Sequence, residues 1–233
     1  MKKVLVTGAS GGIGMAICKY YFNHNYEVIY HYNSSQNKLK ELRGVTLVKS
    51  DFSNNKSLSK FINQIAEIGP IDVLINNAAD TKYKSNIDEY SYEGVLKILS
   101  VNTIAPFLLC KEAIKGMKSK RWGRIVNISS IGVKYGGSYN SMDYTFSKSA
   151  LESITTSLAK QYTSDNILIN CIRVGVTNTK FHEKNPKDMS KRISLIPIGR
   201  MAKPDEIAKV VYFLGSDENS YISGDTITVA GGE

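Results

Sequence analysis

The chain's 233 residues, 42% hydrophobic and 22% charged, suffice for one large globular domain with a substantial buried core. No run of about 18 apolar residues occurs, so no transmembrane helix is expected, and the scattered Cys18, Cys110 and Cys171 lack metal-ligand spacing, predicting buried thiols in a reducing, cytoplasmic setting. Thirty Lys plus Arg against 21 Asp plus Glu give a net charge of +9, spread without like-charge blocks; this predicts solvated surface and a phosphate-bearing ligand, and argues for neither nucleic acid nor membrane as a partner.

The first predicted strand, Lys3–Thr7, carries too short an apolar stretch for a signal peptide. It runs into Thr7-Gly8-Ala9-Ser10-Gly11-Gly12-Ile13-Gly14, which opens a predicted helix over Gly12–Asn23. Gly8 permits a tight turn, Gly12 lets backbone approach a diphosphate, and Gly14 allows close helix–strand packing. The diphosphate of a dinucleotide would sit at the positive helix N-terminus. A second strand, Glu27–His31, ends in Tyr32-Asn33-Ser34-Ser35, where a ribose-binding carboxylate is expected and none occurs. A carboxylate would repel a 2′-phosphate, whereas Asn33, Ser34 and Ser35 can donate hydrogen bonds to it, which favours NADP(H) over NAD(H). Neither His31 nor Lys38 is assigned as its cation.

Strands at Val45–Lys49, Val73–Asn76, Arg124–Ile128, Ile167–Ile172 and Thr226–Val229 follow, with helices at Lys56–Glu67, Pro106–Ser119, Tyr144–Tyr162 and Asp205–Leu214. Alternating strands and helices predict one α/β domain, a Rossmann-type, doubly wound, seven-stranded and mainly parallel sheet with helices on both faces. The strand before Ile131 ends in Ser129-Ser130, where open parallel sheets bind ligands, so a hydroxyl there can stabilise charge on a carbonyl oxygen. In the Tyr144–Tyr162 helix, Tyr144 and Lys148 are i and i+4 on one face. A free phenol is a poor acid–base catalyst near neutrality, and a neighbouring ammonium is expected to lower its pKa.

The glycine turn, Ser130 and Tyr144-Thr145-Phe146-Ser147-Lys148, in this order, resemble the short-chain dehydrogenase/reductase family, whose glycine signature is Thr-Gly-x-x-x-Gly-x-Gly. The resemblance extends through Asp51-Phe52, Asn76-Asn77-Ala78-Ala79, Val101-Asn102-Thr103, Pro197-Ile198-Gly199-Arg200 and Tyr221-Ile222-Ser223-Gly224. It implies hydride transfer between a nicotinamide cofactor and an alcohol/carbonyl pair, with Asn102, Ser130, Tyr144 and Lys148 catalytic. It also implies cofactor contacts from Gly8, Ser10, Gly11, Gly12, Ile13 and Gly14, from Asp51 and Phe52 at the adenine, and from Asn77 and Ala78. Tyr144, Lys148, Gly175, Thr177 and Thr179 complete that set, Lys148 on the nicotinamide ribose, while Asn102 is expected to hold a water of a proton relay. Ser130 lies fourteen positions before Tyr144, one more than the family usually leaves, so Ser129 and Ser138 remain alternatives for the hydroxyl. Val174 stands where the family has proline, and loss of that rigid φ is expected to loosen the following loop.

Substrate choice is expected from loops 180–195 and 131–143. The first contains His182, Glu183, Lys184, Lys187, Lys191 and Arg192 with little aromatic or apolar surface, which suits a polar or anionic substrate as well as plain solvation. A 3-oxoacyl thioester on acyl carrier protein or coenzyme A is the leading substrate, with Arg121 in favour and Asp165-Asn166 against a carrier protein. A sugar or other polar ketone is the alternative, and a non-catalytic cofactor-binding regulator a lesser one. The resemblance also implies a homodimer or homotetramer packed through the Pro106–Ser119 and Tyr144–Tyr162 helices.

Overall fold

Along β1 (Lys3–Val6) the side chains alternate between two cores: Val4 and Val6 join one buried cluster and Leu5 the other. A strand buried on both faces belongs inside a parallel sheet. The computed structural model describes residues 1–34, 46–181 and 188–233. Its one sheet has seven strands, all parallel, adding β2 (Glu27–Tyr32), β3 (Thr46–Lys49), β4 (Val73–Asn76), β5 (Gly123–Ser130), β6 (Ile167–Val174) and β7 (Thr226–Val229). The strand order β3-β2-β1-β4-β5-β6-β7 reverses between β1 and β4, and the crevice beyond the carboxyl ends there is where such sheets take ligands.

One face is covered by α1 (Gly12–Asn23) and α7 (Pro204–Leu214), the other by α2 (Asn55–Ile68), α4 (Ala105–Lys120) and α5 (Met142–Tyr162). The seven strands and five helices expected from the sequence are all present, with ends shifted by up to two residues. Two further helices, α3 (Tyr92–Leu99) and α6 (Met189–Ser194), escape the apolar periodicity. Each is short and carries a local signal instead: Ser91 caps Gly94 N–H at 3.1 Å, and Asp188 caps Ser190 and Lys191. Ser35, Lys38 and Val45, and His182, Glu183, Lys184 and Lys187 of the charged loop, lie outside the described residues.

Between α3 and α4, Ser100–Ile104 forms a wider, π-type turn, so one helix runs unbroken over Tyr92–Lys120. By length and composition alone this 29-residue helix is apolar enough to cross a membrane, a test that the core helix of a globular domain also passes. Polar Ser100, Asn102 and Thr103 interrupt the run in sequence, and Leu109, Cys110 and Met117 are buried against the sheet. All three cysteines are buried free thiols, as their apolar contexts suggest.

Phe61 of α2 is 1% exposed and packs edge-on to His31 and Phe52. Phe61→Ala is expected to cost about 3–5 kcal/mol through lost burial and the cavity left behind, read as a lower urea midpoint.

Candidate active site

At the end of β1 the chain turns through Gly8 with φ +65°, where a Cβ would stand 2.8 Å from Ala78 Cα. Only glycine fits that approach. The Thr7 hydroxyl accepts the N–H groups of Asn77 and Ala78, both at 2.9 Å, while Asn77 Nδ2 donates to Thr7 O and Gly8 O. The glycine turn and the segment after β4 are thereby knitted into one floor. The N-cap Gly11 of α1 has no side-chain cap, and the first turn carries no acidic residue. Gly11 and Gly12 are exposed and Ser10 half-buried beside them, while Ile13 packs on the core and Gly14 is buried. Uncapped, exposed N–H groups at a helix N-terminus suit a diphosphate. Thr179 comes from the loop after β6 to stand directly over Gly12, where a Cβ would meet its Cγ2 at 2.6 Å.

Asn33 and Ser34 are exposed at the end of β2, with no carboxylate among the described residues there. His31 is buried, so it offers no cation at that end. Its Nδ1 accepts Gly8 N–H at 3.1 Å and its Nε2 donates to Ser50 O at 3.0 Å, which fixes the neutral tautomer. Burial pushes the imidazole down to about 4. Phe52 stacks on His31 with centroids 4.0 Å apart and is 4% exposed. Its ring therefore belongs to the core, leaving Asp51 as the group of that pair able to face a ligand. Asp51 accepts from Ser53 N–H and Oγ, and the Ser53 hydroxyl lowers its carboxyl below the ordinary value.

The end of β5 meets the start of α5. The Ser130 hydroxyl stands near enough to the Tyr144 phenol to act on its titration, and its Oγ accepts Gly132 N–H at 3.2 Å. The alternatives point elsewhere: Ser129 Oγ donates to Glu152 at 2.7 Å, and Ser138 bonds to Asn140. Lys148, 1% exposed, reaches under the tyrosine, its Nζ 2.7 Å from Ile128 O and 5.8 Å from the Tyr144 ring centroid. Burial dominates both titrations: it pushes the Tyr144 phenol up to about 12 against the lowering effect of Ser130, and Lys148 down to about 8. The expected lowering of the phenol by Lys148 is thus outweighed. Desolvation favours the neutral form of each.

Asn102 lies in the π-type turn, fully buried. Its Oδ1 accepts Asp80 N–H at 2.8 Å, and its Nδ2 donates to Asp80 O and Ser147 Oγ, each at 3.0 Å. Both side-chain donors are engaged, so the amide ties α4 to α5 and has no donor left for a water. Thr177 is 2% exposed and turns its hydroxyl onto Gly175 O. Val174 does not leave the next loop slack, for β6 continues through it to pair with β5 and β7. Gly175 N–H then donates to Val229 O and Ala202 N–H to Val176 O. The sequence reading missed three residues here: Thr7, His31 as a brace, and Phe181, whose ring lies 5.8 Å from that of Tyr144. Phe181 gives the expected polar loop an aromatic start beside the phenol. The strand-ending Thr7 of the glycine signature was the one available signal.

Residues 8–233 match a family model described as enoyl-(acyl carrier protein) reductase. The chain is similar, at 36% identity over 99% of its length and 96% of the relative's, to a 3-oxoacyl-(acyl-carrier-protein) reductase of Rickettsia felis. It is 34% identical to an acetoacetyl-CoA reductase of Shinella zoogloeoides, over 98% of this chain and 97% of that one. A solved short chain dehydrogenase/reductase family protein superposes with a TM-score of 0.88 at 26% identity, covering 99% of this chain and 96% of the other.

Thr7→Val keeps the shape of the side chain but leaves Ala78 N–H without its acceptor and Asn77 N–H with Ile75 O alone. A loss of about 1–3 kcal/mol per orphaned donor is expected in urea unfolding, together with weaker NADPH binding in a fluorescence titration.

Proposed function

This chain belongs to the short-chain dehydrogenase/reductase family and is an NAD(P)-dependent oxidoreductase, and from that premise we propose that it reduces a 3-oxoacyl thioester to the 3-hydroxyacyl thioester with NADPH. The observation that carries the reading is the meeting of Ser130, at the carboxyl end of β5, with the Tyr144 phenol, whose pKa it acts to lower, over the buried Lys148. Whole-length similarity to reductases of 3-oxoacyl and acetoacetyl thioesters supports the substrate class.

The cofactor, when bound, supplies hydride to the carbonyl carbon. The residues suited to hold it are Gly8, Ser10, Gly11, Gly12, Ile13 and Gly14 around the diphosphate, and Asn33 and Ser34 toward a 2′-phosphate. Asp51, Asn77 and Ala78 continue that wall, with Phe52 behind it, and Gly175, Thr177 and Thr179 close the nicotinamide end. Tyr144 donates its proton to the carbonyl oxygen, since a phenol at about 12 is protonated at neutral pH as a reduction requires. Ser130 donates a hydrogen bond to the same oxygen as negative charge grows there. The Lys148 ammonium stabilises the phenolate that proton donation leaves behind. Asn102 keeps α4 and α5 in register around this centre through Ser147.

The absence of a carboxylate after β2 supports NADPH over NADH. Arg121 reaches Ser164 O, and Asp165 follows it, a combination that favours a coenzyme A thioester over an acidic carrier protein. The charged residues of loop 180–195 favour, as a second reading, a sugar or other polar ketone. Exposed Ile104, Phe107 and Phe146 on α4, its preceding turn and α5 support assembly into a homodimer or homotetramer. The chain would act as a single domain in the cytoplasm.

Acetoacetyl-CoA is expected to drive NADPH oxidation, with NADPH preferred over NADH by about tenfold or more in kcat/KM. No turnover with cofactor bound would overturn the thioester reading, and a preference for NADH would overturn the cofactor reading. The pH profile has a defined sign. Because the ammonium of Lys148 is the active form and titrates at about 8, kcat/KM for reduction should be level below that pH and fall above it. A profile still level at pH 9.5 would remove Lys148 from the mechanism.

A further inference from the structure

We propose that Lys84 is a positioning residue for Tyr144, acting through a buried ion pair with Asp143, the residue immediately before the tyrosine. This rests on Tyr144 being the proton donor. Lys84 is 3% exposed and Asp143 wholly buried. One Asp143 oxygen accepts Tyr144 N–H at 2.9 Å; the other takes the Lys84 ammonium. The same Nζ donates to Lys82 O at 3.1 Å and lies 4.4 Å above the Tyr90 ring, so the ammonium is enclosed on every side the chain provides.

Helix α5 needs such a fixture. Its N-cap, Ser141, makes no side-chain capping bond, so other groups must set the direction of the first turn. Those groups come from the segment after β4. Asn140 exchanges backbone and side-chain bonds with Lys84, its carbonyl accepting Lys84 N–H at 3.1 Å and its Nδ2 donating to Lys84 O at 2.7 Å. The Tyr90 hydroxyl accepts Met142 N–H at 2.9 Å and donates to Tyr139 O at 2.8 Å. A few residues earlier the segment is fastened again, by Asp80 to Asn102. Lys84 therefore stands where one rigid strap crosses the turn that carries the phenol.

A buried ion pair is weak evidence for stability, because a well-packed apolar pair of similar volume holds a fold as well. What an apolar pair lacks is direction: it cannot aim an acceptor at Tyr144 N–H. The test uses that difference. Lys84→Met/Asp143→Leu should retain melting behaviour and NADPH affinity within about twofold, yet lose roughly ten- to a hundredfold in kcat at unchanged KM. In 13C-tyrosine-labelled protein the Tyr144 ring signal should shift or broaden. Lys84→Gln/Asp143→Asn, which restores a directed pair without charge, should recover most of the kcat and the native signal. If the apolar pair does not fold, Lys84→Met alone, which frees the Asp143 acceptor from its anchor, is read in the same two ways. Native kcat together with a native Tyr144 signal in the apolar variant would overturn the proposal. If the unaltered protein shows no reductase turnover, the proposed reaction fails, and the ring signal alone decides whether Lys84 positions Tyr144.

Discussion

Backbone that stops pairing at the carboxyl ends of β1 and β4 must find partners for its polar groups, and the Thr7 hydroxyl supplies them. It accepts two successive N–H groups of the neighbouring turn while Asn77 returns a bond to Gly8 O. Everything on the cofactor side of the crevice hangs from this junction. It brings Ala78 so near Gly8 that no side chain fits between them, and it aims the start of α1 into the crevice. From below, His31 carries the same turn to β3 and Phe52, so the floor is braced by a neutral imidazole whose ring has no other task.

The substrate side is governed by desolvation. Lys148 has a single carbonyl partner and no carboxylate among its bonds, and the phenol above it is neutral for the same reason. With Lys148 at about 8 and the phenol at about 12, an ammonium lies beneath a protonated phenol at neutral pH, and its effect on the phenol depends on their geometry being held. That geometry comes from outside the pair. Ser147, one residue before Lys148, is bonded to Asn102, and Asp143, one residue before Tyr144, to Lys84. Helix α5 is thus tied on either side of the tyrosine, by Lys84 of the segment leading out of β4 and by Asn102, itself bonded to Asp80 of that segment.

The sheet was legible because its strands are short, mostly apolar runs of strand length and its long helices show spaced apolar residues. Its doubly wound, mainly parallel character followed from the alternation of strands and helices, whereas the strand order is visible only in the fold. Short α3 and α6 were not legible, since eight and six residues hold too few turns for an apolar period to stand out, and the local signal left is the capping side chain. Tyr144 and Lys148 were visible as an i, i+4 pair, and Ser130 as a strand-ending hydroxyl. Their titration was not, because desolvation depends on how completely Ile128, Phe181 and the sheet close around them. Likewise Phe52 was expected at the adenine but lies in the core, and the Asn102 amide is consumed by Asp80 and Ser147. Lys84 in sequence is one lysine among many. Only the fold reveals that it is buried beside Asp143.

The proposal that Tyr144, beside Ser130, protonates a carbonyl oxygen is tested most directly by separating binding from chemistry in Tyr144→Phe. NADPH binding should stay within about twofold of the unaltered protein, while single-turnover oxidation by acetoacetyl-CoA slows by at least roughly a hundredfold. Turnover within about tenfold of the unaltered protein would contradict the claim, since a reduction that proceeds without the phenol takes its proton elsewhere.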